Sequence, residues 1–129
     1  MKHARHLFRA YRASCYFAGS HAARIGHRAP GLDALLRSWR VQEGVFIAAC
    51  NPFSRRIAEG WNARRHTAPR ERLRRLHYVE GQGGAKRWWE AHCFIGISVS
   101  RGKPLARLFR QNAMVALRRG GRARLIWVF

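Results

Sequence analysis

One apolar run constrains the fold of this chain more than any other feature. The stretch V45-F-I-A-A-C50 carries six uncharged residues straight into Asn51-Pro52, without the alternation of a half-exposed strand. Such a strand is covered on both faces, so residues 45–50 are expected at the centre of a sheet. The run falls well short of the roughly 20 apolar residues that span a bilayer, so we expect no membrane partner.

The first third of the chain predicts a helix, a hairpin and a second helix. Apolar residues at helical spacing favour an N-terminal helix. Gly19-Ser20 suits the turn between two short strands, and Pro30 suits the start of the next helix. These elements are predicted at residues 1–14, 15–18, 21–25 and 32–39.

A long helix is expected after the apolar run. Ser54 is a good N-cap, and apolar residues repeat on one side of the segment that follows. Pro69 either kinks this helix or forces a restart at Thr67. Residues 77–80 suggest a short strand, and the glycines of residues 81–84 suggest a loop.

The last third predicts two more connections between strand and helix. Residues 88–100 alternate, with Cys93 on one face and Glu90 and His92 on the other. Pro104 suits the first turn of a helix that ends near Gln111. Two strands, 113–117 and 124–129, flank a Gly120-Gly121 turn.

Together these patterns predict an α+β fold in one domain, residues 1–129. An N-terminal helix, residues 1–14, precedes a core formed by residues 15–129. We expect a mostly antiparallel sheet with about four helices packed on it. The three cysteines form no C-x-x-C pair, which is typical of buried thiols in a reducing cytoplasm.

Charge is the strongest hint of function. The chain has 26 basic and six acidic residues, for a net charge of +20, and 23 of the basic residues are Arg. Such a surface attracts any polyanion, and the planar guanidinium group suits phosphate. A GC-rich genome also favours Arg over Lys, so selection and genomic bias both remain open. The nucleic-acid candidates on the segment after the apolar run are Arg55, Arg56, Arg64, Arg65, Arg72, Arg74 and Arg75.

Polar residues at element ends give a second set of candidates. Asn51 and Ser54 join a strand to a helix whose first N–H groups could hold an anion, although turn and cap roles explain both. Glu90 most simply pairs with an Arg, and Asn often ends a helix. The ligand-binding candidates are Asn51, Ser54, Asn62, Glu90, Gln111 and Asn112.

Signatures of catalysis are scarce. Glu90 beside His92 could form a base pair for proton transfer or part of a metal site. No H-x-x-x-H, H-E-x-x-H or C-x-x-C spacing accompanies them, and no serine or cysteine stands in a nucleophile elbow. We therefore predict no metal and no cofactor, and whether the protein is an enzyme stays open.

The order of these motifs resembles a known bacterial family. The elements N51-P-F-S54, Asn62, W89-E90 and F109-R-Q-N-A113 are similar to those of the domain of unknown function 3293, from about Tyr11 to the C-terminus. Members tend to carry Thr shortly before N-P, where this chain has residues 48–50, and an acid where it has Trp61. The resemblance implies a fold and a candidate site, but no activity.

Two hypotheses follow. In the first, the protein is a small basic module that binds nucleic acid or another polyanion. In the second, the polar set lines the pocket of a protein that binds an anionic small molecule, or of an uncharacterised enzyme. The second requires the side chains of Asn51, Ser54, Glu90 and Asn112 to gather within roughly 10 Å of one another.

Overall fold

A computed structural model describes residues 2–48, 76–86 and 88–128, and within them one curved sheet organises the chain. The helices are α1 (Lys2–Ala13), α2 (Pro30–Ser38) and α3 (Val99–Leu108). The strands are β1 (Cys15–Ala18), β2 (His21–Ala23), β3 (Glu43–Ala48), β4 (Tyr78–Ala85), β5 (Trp88–Ile95), β6 (Ala113–Arg118) and β7 (Arg124–Trp127).

The seven strands form a single antiparallel sheet in the order β2-β1-β4-β5-β3-β6-β7. Strand β3 lies between β5 and β6, with Phe46 opposite Phe94 on one side and Val115 on the other. The central position predicted for the apolar run is therefore confirmed for the residues of β3. The mostly antiparallel sheet is confirmed as well.

The two edges of the sheet meet. The chain that follows β2 forms bridges with the chain that precedes β7, Ile25 with Ala123 and Arg28 with Arg122. Gly26 N donates to Ala123 O at 2.8 Å, and Ala123 N donates to His27 O at 2.9 Å. The sheet is therefore a half-barrel with its edges joined at one end. We call this junction, residues 24–28 with 122–124, the seam.

Each face of the sheet has its own core. The concave core contains residues from both edges, such as Ile25 and Ala123, and encloses Leu32 and Leu36 of α2. The convex core packs Ala106 of α3 against the other side chains of the central strands. Strand β3 contributes Phe46 to the concave core and Val45 and Ile47 to the convex core. Helices on both faces explain why its sequence does not alternate.

Two helices end in the same way. After α2, Val41 N donates to Leu36 O, and after α3, Gln111 N donates to Ala106 O, the six-residue bond of a Schellman motif. The left-handed residue of each motif is an arginine, Arg40 at φ 58° and Arg110 at φ 56°. A strand starts within a few residues of each arginine.

Helix α3 starts earlier than predicted. Pro104 lies inside the helix rather than in its first turn, because Ser98 is the N-cap and its hydroxyl accepts a hydrogen bond from Arg101 N. The first turn packs Gly102 closely against Met114 and Val45, so that a Cβ at this position would lie 3.2 Å from a side-chain atom of each. Capping and packing therefore outweigh the preference of proline for the first turn.

The predicted glycine loop is a strand. Residues 81–84 continue β4 and pair along their length with β5. Side chains would not fit at two of these positions: a Cβ at Gly81 would collide with Phe17 O, and one at Gly83 would lie 2.6 Å from the His92 ring. The glycines permit a close approach of β1 and β5 to β4, so the loop prediction was wrong.

The other predicted elements are confirmed where the structure describes them: the N-terminal helix, the hairpin at Gly19-Ser20, the helix after Pro30 and the hairpin at Gly120-Gly121. The described residues contain three helices against about four predicted, and the long helix predicted from Ser54 lies outside them. None of the described helices is long and apolar enough to cross a membrane.

Replacing Gly81 by Ala tests the close packing of β4. The added methyl group meets backbone rather than a side chain that could move aside, so we expect a loss of about 2 kcal/mol or more in the free energy of unfolding. Urea denaturation measures it. Gln82→Ala, at the exposed neighbour in the same strand, is the control and should cost less than about 0.5 kcal/mol. Equal losses would contradict the packing described.

Candidate functional site

Three of the six polar candidates are described. Glu90 lies on β5, and Gln111 and Asn112 lie between α3 and β6. Asn51, Ser54 and Asn62 lie outside the described residues. The predicted gathering of Asn51, Ser54, Glu90 and Asn112 therefore remains a prediction.

Strand register relates Glu90 and Asn112. Ala48, the last residue of β3, is opposite His92 of β5, and Glu90 precedes His92 by two residues, beyond the end of β3. On the other side of β3, Phe46 is opposite Val115, and extending this register by two residues places Ala113 beside Ala48. Glu90 and Asn112 therefore lie at the end of the sheet where β3 finishes, separated by the width of two strand spacings, about 10 Å.

Gln111 has a structural role. Its side chain is 3% exposed, and its amide nitrogen donates to the carbonyl oxygen of Phe109 at 2.9 Å. That carbonyl belongs to the last turn of α3, where acceptors lack helical partners. The side chain thus caps the helix that precedes β6. Asn112 O accepts from Val128 N at 2.9 Å, which ties the same connection to the chain after β7.

Glu90 borders a buried aromatic cluster on the concave face. His92 is 2% exposed, its Nε2 lies 2.9 Å from Phe17 O, and its ring packs against Tyr16 and Phe46. The Tyr16 hydroxyl donates to Tyr11 O at 3.0 Å. His92 thereby links β5 to β1. Within the described residues, no three His, Cys, Asp or Glu side chains are placed to hold a metal ion.

The arginines predicted to bind nucleic acid, residues 55–75, lie outside the described part of the chain. The described part has its own basic cluster at the seam. Ile25 and Ala123 point into the concave core, so their neighbours Arg24, Arg122 and Arg124 point outward. Arg28 is bridged to Arg122 and is also exposed. We call Arg24, Arg28, Arg122 and Arg124 the seam arginines.

Few carboxylates neutralise the seam arginines. Arg124 lies 3.8 Å from Glu43. Arg24, Arg28 and Arg122 form no ion pair with an acidic side chain of the described residues. Asp33, the nearby acid of α2, accepts a hydrogen bond from Gly120 N at 3.1 Å and so holds the turn before β7. Three exposed guanidinium groups therefore share one unbalanced region of positive charge.

Sequence patterns missed the seam because its residues are almost 100 positions apart in the chain. Each pair, Arg24 with Arg28 and Arg122 with Arg124, is unremarkable in a sequence with 26 basic residues. The alternation of arginine with Ile25 and Ala123 is the one local signal. This alternation indicates that each arginine lies on the exposed face of its own strand. It does not indicate that the two edges of the sheet meet.

Tyr16 gives the folded state a pH dependence. Burial raises the pKa of Tyr16 above its ordinary value, and Tyr11 and Glu90 raise it further. A raised pKa means that the stability contributed by the neutral phenol is complete below about pH 10 and is lost as pH rises above it. We expect the free energy of unfolding to fall more steeply above pH 10 in the wild type than in Tyr16→Phe. Urea melts from pH 9 to 12 test this, with Tyr78→Phe as the control for loss of a tyrosine; equal slopes in wild type and Tyr16→Phe would contradict it.

Gln111→Ala distinguishes a cap from a ligand group. If the amide caps α3, its loss leaves a buried carbonyl without its donor and should cost about 1 to 3 kcal/mol of stability. Thermal melts measure this cost. Gln42→Ala, at an exposed glutamine, is the control and should change little. An unchanged melting temperature for Gln111→Ala would exclude the capping role.

Comparison with known proteins agrees with the motif resemblance. The family described as "Protein of unknown function (DUF3293)" matches residues 47–114, just over half of the chain. The match begins near the end of β3 and reaches the start of β6. No curated protein and no solved structure matches significantly. The chain belongs to the DUF3293 family.

Proposed function

We propose that this protein is a small basic module that binds nucleic acid, in the bacterial cytoplasm, through its arginine-rich surface. The observation that carries the proposal is the seam, where Arg24, Arg28 and Arg122 are exposed together without acidic partners among the described residues. A net charge of +20 over 129 residues supplies the long-range attraction. The seam supplies a local place for contact.

The hydrogen-bonded backbone of the seam holds the arginines in fixed positions, from which they can contact successive phosphates. Edge-to-edge hydrogen bonds fix the main chain on both sides, so the arginines project from a rigid base. Guanidinium groups donate two parallel hydrogen bonds to a phosphate and remain charged at any physiological pH. Because the backbone that carries these arginines is already fixed, less conformational entropy is lost when they bind a phosphate. These contacts carry no sequence information, so we expect little sequence preference.

The pocket hypothesis has less support. Of its described members, Gln111 has its amide nitrogen engaged by Phe109 O, which fits a structural role. Glu90 and Asn112 lie about two strand spacings apart, which is compatible with a shared pocket but does not show one. We therefore place nucleic-acid binding first and keep the anionic small-molecule pocket as the alternative.

Salt dependence tests the proposal. Each neutralised phosphate releases counterions, so the logarithm of the binding constant should fall linearly with the logarithm of salt concentration. Replacing Arg24, Arg28 and Arg122 by Gln should reduce the slope by about one unit for each lost phosphate contact. Fluorescence anisotropy with labelled oligonucleotides of unrelated sequence measures both effects.

A charge-matched control separates the seam from net charge. The variant Arg9→Gln, Arg101→Gln and Lys103→Gln also removes three positive charges, but from α1 and α3. It should leave the slope closer to that of the wild type than the seam variant does. Equal slopes in both variants would show that net charge alone attracts the nucleic acid. Absence of binding at low salt would refute the proposed function.

A further inference from the structure

The convex face of the sheet has an aromatic depression next to the seam. It is open to solvent, has a volume of about 370 Å³, and is lined by Phe17, Gly19, Gly81, Gln82 and Trp89. Phe17 comes from β1, and Trp89 comes from β5. Strand β4 lies between them and places Gly84, which has no side chain, opposite both Cys15 and Trp89, while Gln82 borders the depression. We call this feature the aromatic depression.

Trp89 is exposed but held in position. Its side chain is 44% exposed, although tryptophan is among the side chains that gain most from burial. The indole Nε1 donates to Lys86 O at 3.0 Å, and the ring lies 6.0 Å from that of Phe17 at an angle of 36°. The hydrogen bond uses the one polar group of the ring. Its apolar surface is thus presented to solvent in a fixed orientation.

The aromatic depression and the seam lie on the same face. Phe17 is opposite Ala22 in β2, and Arg24 is two residues further along the same strand direction. Phe17, Ala22 and Arg24 alternate with the concave residues Tyr16, Ala23 and Ile25, so they share the convex side. One strand spacing and two residue rises separate Phe17 from Arg24, about 8 Å along the surface.

We propose that the aromatic depression binds an unpaired nucleobase by stacking on Trp89 while the adjoining phosphates contact the seam arginines. This inference rests on the proposed function and specifies its substrate as single-stranded nucleic acid. A nucleobase has an apolar face that can stack on the indole, and the phosphates of its strand carry the negative charge that Arg24 attracts. In a duplex, the bases stack on each other and are not available to Trp89.

The chemistry of both surfaces favours this ligand over an apolar peptide. An apolar peptide would use the depression but gain nothing from the unpaired arginines beside it. A polyanion without bases would use the arginines and leave Trp89 exposed. Single-stranded nucleic acid alternates stacking groups and phosphates at a spacing that can engage both.

An abasic oligomer isolates the contribution of the bases. Binding of oligothymidylate and of an abasic deoxyribose-phosphate oligomer of equal length is measured by fluorescence anisotropy at low salt. The wild type should bind oligothymidylate more tightly than it binds the abasic oligomer. It should also bind oligothymidylate more tightly than it binds a duplex of the same length. Trp89→Ala should weaken binding of oligothymidylate roughly 5- to 150-fold, the range found for loss of one stacked base, and leave the abasic oligomer unaffected.

Trp127→Ala is the matched control. Trp127 is 39% exposed on β7 and packs edge-on against Tyr11, which borders the concave core. Its loss removes the same side chain without touching the aromatic depression, so binding of both oligomers should stay unchanged. Trp89→Phe keeps an aromatic face and should retain most of the affinity.

Fluorescence keeps the test valid if Trp89→Ala does not fold. Stacking should quench tryptophan emission when oligothymidylate binds, and Trp89→Phe should remove most of that quenching whereas Trp127→Phe should not. Equal binding of oligothymidylate and the abasic oligomer by the wild type, or quenching that survives in Trp89→Phe, would overturn the stacking inference and leave the proposed function intact. Failure of the wild type to bind any nucleic acid would overturn both.

Discussion

The hydrogen bonds between Gly26, His27 and Ala123 hold the two edges of the sheet together, and the rest of the described structure depends on that closure. Without it, the backbone groups that pair across the seam would also be exposed, and unpaired sheet edges tend to aggregate. With it, the concave face becomes an enclosed volume that α2 fills with Leu32 and Leu36. Packing of the concave core and protection of the edges are therefore consequences of one short junction.

The same closure concentrates charge. Alternation at the edges sends Ile25 and Ala123 inward, so the residues beside them must face outward, and those residues are arginines. Two segments that are far apart in sequence thus contribute to one positive region. The cost of bringing like charges together is moderated by Glu43 and by solvent, since exposed charges interact weakly in water.

Local patterns predicted most of the described elements, because hairpins and capped helices depend on neighbouring residues. The apolar run located the central strand, and Gly120-Gly121 located a turn. Prediction failed where distant contacts decide the outcome. The glycines of β4 resemble a loop until Phe17 and His92 are placed against them, and Pro104 resembles a helix start until Gly102 is placed against Met114. Gln111 was recognised as a polar candidate, but only its buried contact with Phe109 O shows it to be a cap.

The matching ends of α2 and α3 show that the centre of the protein repeats one unit of construction. In each unit a helix ends at a left-handed arginine, and the strand residue six positions later faces that helix: Phe46 follows Arg40 and faces α2, and Ala116 follows Arg110 and faces α3. Strands β3 and β6 are antiparallel neighbours with helices on opposite faces. The second unit therefore runs in the opposite direction to the first, lies one strand away and carries its helix on the other face of the sheet. Each unit covers the face that the other leaves bare.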